Sequence, residues 1–71
     1  MSDPRIKQFG ANVRRARKNK GLSQENFANQ AGIDRSYMGH IERGEKNVTL
    51  LKAFQIADTL NVTLKELLGD T

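Results

Sequence analysis

The 71-residue chain has no cysteine, no tryptophan, one proline and one histidine. Without cysteine there is no disulfide frame, an absence that fits a reducing compartment. A structural zinc needs at least two histidine or cysteine ligands, and His40 stands alone, so no metal or other cofactor is expected. No apolar run approaches the roughly 18 residues of a membrane span. The opening MSDPRIKQFG lacks the apolar centre of a secretory signal, and the expected location is the cytoplasm. Enzyme chemistry is equally short of material: no thiol nucleophile, no second histidine and no carboxylate pair with an evident scaffold. Residues 39–46 (GHIERGEK) distantly echo a phosphate-binding loop, but one residue is inserted before the lysine and no strand precedes them. A chain this short sits near the lower limit for folding unaided, which makes association with a second copy the natural extra source of stability.

Charge is what the chain does have, and it is uneven. Residues 1–20 hold seven basic side chains and one acidic one, whereas residues 21–71 hold five and seven. The net charge of +4 is therefore concentrated at one end, which favours an anionic partner such as nucleic acid or a membrane surface.

Five short helices and no strand are legible. Asp3-Pro4 is a cap followed by proline at the first helical position, and this helix ends near Lys20-Gly21. Its apolar residues Ile6, Phe9, Val13 and Ala16 recur at three- and four-residue steps, the mark of one core-facing stripe. Ser23 caps a second helix that stops at Gly32, where a left-handed backbone is expected. Asp34 caps a third, running to Arg43-Gly44, and Thr49 a fourth, through Leu60. Thr63-Leu64-Lys65-Glu66 has the form of a capping box opening the fifth. The expectation is an all-α, compact five-helix bundle forming a single domain over residues 1–71.

On a wheel of about 100° per residue the third helix has two unlike sides. Arg35, Ser36, Gly39, His40 and Arg43 share one side, Met38 and Ile41 lie across from them, and Tyr37 and Glu42 stand at the borders. The polar side carries what a major-groove reading helix needs. Arginine can give two hydrogen bonds to guanine O6 and N7, serine and histidine can meet base edges or phosphates, and an aromatic flank can touch a thymine methyl. Phe27, Ala28, Ala31, Gly32, Ile33, Met38 and Ile41 fall where a helix-turn-helix over about residues 24–43 requires them. Ala28 must be small where the two helices cross, Gly32 makes the bend, and the rest form the shared seam.

With those residues in place, the stretch LSQENFANQAGIDRSYMGHIERGEKNVTLLKAFQIADTLNVTLKELL resembles the Cro and phage-repressor type of helix-turn-helix, also called xenobiotic-response-element-like. Within that family, IDRSYMGHIERGEKNVT looks most like the small controller proteins of restriction-modification systems. The resemblance implies a lambda-repressor-like fold and a sequence-specific transcriptional regulator that binds double-stranded DNA. It implies that Arg35, Ser36, Tyr37, Gly39 and His40 lie along the bases, and that Gln24, Arg43, Lys46 and Asn47 hold the DNA backbone. It further implies that Arg17 and Glu42 form a structural salt bridge, an assignment that suits the border position of Glu42. The sequence departs from the family pattern in three places. Gly39 weakens a short helix and removes a side chain, Val48 stands where proline is common, and Leu51 replaces a usually polar position.

In the fourth helix Leu50, Leu51, Ala53, Phe54, Ile56, Ala57 and Leu60 cover more than half the circumference. This excess points to a second buried face within about residues 50–68, where Leu51, Phe54, Gln55 and Leu64 meet a symmetry mate. A two-fold homodimer would set its reading helices about one DNA turn, roughly 34 Å, apart and demand a near-palindromic operator. The alternative is a protein-binding module of the same fold, of antitoxin or coactivator type, that does not read DNA.

Overall fold

The computed structural model describes residues 3–69. Five helices follow one another: α1 (Pro4–Asn19), α2 (Gln24–Ala31), α3 (Arg35–Glu42), α4 (Leu50–Leu60) and α5 (Leu64–Leu68). Each starts at the cap its sequence announces. The side chains of Asp3, Ser23, Asp34, Thr49 and Thr63 accept hydrogen bonds from the amides of Arg5, Asn26, Tyr37, Lys52 and Glu66, and Thr63 and Glu66 complete the capping box.

The ends are as local as the beginnings. Gly32 adopts φ +69°, and the amide of Ile33 donates to the Ala28 carbonyl at 2.9 Å while that of Gly32 donates to Asn29 at 3.2 Å. This pair of bonds closes α2 and turns the chain directly into the cap of α3, so the elbow between the helices is only Gly32, Ile33 and Asp34. The same pair recurs after α3, where Gly44 and Glu45 donate to Ile41 and His40 at 3.0 and 2.9 Å. Gly44, at φ +74°, has a second constraint: a methyl group there would stand 2.7 Å from Lys7 Cα.

The core is built from the expected stripes. Val13, Phe27, Met38, Ile41, Ile56, Leu60 and Leu67 are its largest fully buried side chains, and Ala28 is small where α2 packs on its neighbours. Burying such side chains is the main favourable term in folding, about 1.5–3 kcal/mol for each large one. Two features of α1 were not evident from periodicity. Gly10 lies against the C-terminal turn of α3, where a methyl group would be 2.8 Å from the Glu42 carbonyl oxygen. Asn12 is buried and donates through Nδ2 to the Leu67 carbonyl at 2.8 Å, tying α1 to α5. Val48 is half-buried against the core, an apolar anchor where the loop enters α4.

Candidate nucleic-acid interface

The placement of α3 is fixed from its buried side. Met38 and Ile41 are sunk in the core, and Glu42 beside them is met by a guanidinium. Arg17 of α1 donates from Nε to Glu42 Oε2 at 2.8 Å and from Nη2 to Oε1 at 3.1 Å, with only 3% of the glutamate side chain exposed. The third nitrogen, Nη1, donates to the Leu22 carbonyl at 2.8 Å, closing the α1–α2 connection on the same residue. Such a pair needs both partners, because removing one strands a charge away from water. Arg17 is thus occupied within the fold.

Gln24, the first residue of α2, joins this cluster, its Nε2 donating to Glu42 Oε1 at 3.2 Å. The bond aims a side chain expected on the DNA backbone, and no sequence pattern announced it. Gly39 lies directly beneath: a methyl group there would stand 3.2 Å from Arg43 Nη1 and 3.3 Å from Gln24 Oε1. Gly39 is consequently buried, and the close approach it permits is made by these two side chains.

The outward side of α3 keeps Arg35 and Ser36 exposed, with His40 half-buried on the next turn. Together with Gln24, Gly39 and Arg43 they line one open depression of about 260 Å³. Six of the residues expected at DNA, Gly39 among them, drawn from two helices and the start of a loop, therefore converge on one polar surface. Tyr37 sits apart on the flank, half-buried against the core, with the Lys52 ammonium 5.9 Å from its ring centre. Lys46 and Asn47 are exposed on the loop that follows.

Arg14 belongs with this surface and was not anticipated. It is exposed on α1 and lines an adjoining depression of about 270 Å³ with Gln24, Gly39 and Arg43. In sequence it is one of several basic residues in a row, and only the packing of α1 against α3 singles it out.

At the end of α3, Glu45 is in contact with both His40 and Arg43. Its Oε1 lies 2.6 Å from His40 Nδ1 and its Oε2 accepts from Arg43 Nε at 3.2 Å. So short a contact with a carboxylate places the imidazole proton on Nδ1, which then cannot accept from Arg43 Nη2, 3.1 Å away. The hydrogen bond from His40, and then that from Arg43, holds the Glu45 carboxyl below its ordinary range. At the start of α1, a comparable pairing with Arg5 lowers Asp3 to about 2.

A second surface is apolar. Leu51 is 72% exposed and Phe54 47%, with Gln55 exposed beside them and Leu64 half-buried. Leu50 and Leu68 extend the patch to the rim of a groove of about 300 Å³ that also takes in Ile6, Phe9 and Val48. No helix among the described residues is long and apolar enough to cross a membrane.

Known proteins resemble this chain in sequence and in fold. A family model described as helix-turn-helix matches residues 13–67. Control protein C.MunI from a Mycoplasma species is 44% identical over 71 residues, covering 99% of this chain and 95% of that protein. Control protein C.SmaI from Serratia marcescens is 44% identical over 57 residues, covering 80% of this chain and 68% of that one. The crystal structure of the restriction-modification controller protein C.AhdI from Aeromonas hydrophila superimposes with a TM-score of 0.87 at 42% identity, covering 92% of this chain and 98% of that chain. The chain belongs to the helix-turn-helix family and is a DNA-binding regulator of transcription rather than an enzyme.

Proposed function

We propose that this protein is a control protein of a restriction-modification system, acting as a homodimer on a near-palindromic operator with α3 in the major groove. The observation that carries the reading is the convergence of Arg35, Ser36, His40, Gln24 and Arg43 around one exposed depression. An α-helix fits the groove, and its first turn is where a helix-turn-helix meets base edges. Arg35 and Ser36 occupy that turn, with His40 one turn later and Tyr37 at the edge toward a neighbouring base or sugar. Gly39 lets Gln24 and Arg43 lie close to the helix axis. Gln24, Arg43, Lys46 and Asn47 take the phosphates on either side, where contacts set register rather than sequence. Arg17 and Glu42 fix the angle at which the reading helix is presented.

Support for the dimer comes from α4 and α5. Leu50, Leu51, Phe54 and Leu68 are large apolar side chains facing solvent on these two helices, and a grouping of this kind marks an interaction surface. Two copies joined through Leu51, Phe54, Gln55 and Leu64 hide it and double the contacts to DNA, raising affinity without any new contact within one module. The likeness to three proteins named as control or controller proteins supports the biological assignment.

Selection of bound sites from random duplexes tests the whole reading. The expected product is an inverted repeat whose half-sites are centred about one helical turn, roughly 10 base pairs, apart. Enrichment of a single unrepeated motif would remove the dimer. No enrichment, with binding insensitive to salt, would favour a module that binds protein.

A further inference from the structure

Between Arg35 and Asn47 the chain has two carboxylates, Glu42 and Glu45. The first is buried and holds the fold together. The second is exposed on the basic surface, contacting His40 at 2.6 Å and Arg43 at 3.2 Å. A negative charge there is poorly suited to a surface that meets phosphates. Nor is the side chain needed to shape the loop, because the left-handed Gly44 and the amide of Glu45, bonded to the His40 carbonyl at 2.9 Å, already do so.

We propose that the Glu45 carboxylate is an internal substitute for a DNA phosphate, occupying Arg43 and His40 in the free protein and leaving them when the duplex arrives. The proposal rests on the DNA-binding reading above. A carboxylate presents two acceptor oxygens to a guanidinium, much as a phosphate does. The pair is exposed, so exchange with another anion requires no opening of the core. While it persists, one cation of the surface is neutralised and makes no contribution to counterion release. Glu45 therefore restrains binding to any duplex, and it restrains most strongly the non-specific binding that depends on phosphates alone. The loop is a source of discrimination, although Glu45 itself touches no base.

The test is fluorescence anisotropy of the full chain and its Glu45→Gln variant on a labelled random-sequence duplex, across a salt series. Glutamine keeps the size and removes the charge, and the site is exposed, so the fold is retained. Tightening of about tenfold near 0.1 M salt is expected, with the slope of log affinity against log salt steeper by about 0.9, the value for one further phosphate contact. The same substitution in an Arg43→Gln background should give little of that gain, because the partner it releases is gone. Unchanged affinity in Glu45→Gln overturns the proposal, and so does a gain of equal size in the Arg43→Gln background, which would reflect net charge alone. Failure of the unsubstituted protein to bind any duplex would instead overturn the DNA-binding reading, and the proposal with it.

Discussion

Glu42 and Glu45 lie three residues apart, and each pairs with an arginine, yet the two ends of this short segment behave as different materials. Glu42 is buried and receives three side-chain hydrogen bonds, two from Arg17 and one from Gln24. Glu45 stands in solvent with Arg43 and His40. In the first place the charges have lost their water, and each ion is tolerated only while the other is present. In the second, water and salt compete with the pair at all times, and it contributes little to stability. Burial, not the identity of the residues, separates a fastener from an exchangeable contact. The reading helix is thus rigid where it joins the body and open to exchange where its loop meets the partner.

The largest consequence of that contrast is in stability. Glu42→Ala strands the Arg17 guanidinium and should cost about 3–5 kcal/mol, a large share of what a small domain possesses. Chemical denaturation of the variant checks this, and an unaltered midpoint would abolish the distinction between the two glutamates. Glu45→Gln in the same assay should leave the midpoint within error of the parent protein while its DNA affinity rises. A pronounced loss of stability would make Glu45 a second fastener.

Acid sharpens the comparison at the smallest scale. The folded-state values of Asp3 and Glu45 are depressed by their partners. Their contributions are therefore present above the unfolded-state carboxylate values and are lost as pH falls through the lower folded ones. Carboxyl carbon titration by NMR should place the Asp3 midpoint at about 2. It should place that of Glu45 below the ordinary glutamate value of about 4.3. A Glu45 midpoint at the ordinary value would mean that the cluster at the end of α3 does not persist in solution.

Much of the fold was legible because its signals are local. Asp3, Ser23, Asp34, Thr49 and Thr63 each act within four residues of themselves, and Gly32 ends its helix through its own backbone. The three- and four-residue spacing of apolar side chains then gave the faces. What escaped was set by contacts between segments distant in sequence. Gly10 reads as a weak point in a helix until the carbonyls of α3 are seen against it. Asn12 reads as a solvated amide until its bond to Leu67 is seen. Arg14 is indistinguishable from Arg15 beside it without the position of α3. In the candidate site, the residue types and the face were recognisable, whereas the tether of Gln24 to Glu42 and the capture of Arg43 by Glu45 depend on side-chain geometry that spacing does not encode.

Binding of Arg35→Ala to the selected operator and to its single-base variants tests most directly the claim that the first turn of α3 reads sequence. The expected outcome is a loss of about 1–3 kcal/mol on the operator, with preference relaxed at one position in each half-site and retained elsewhere. An equal loss of affinity on every sequence would make the arginine a phosphate contact and place the reading of bases in another part of the protein.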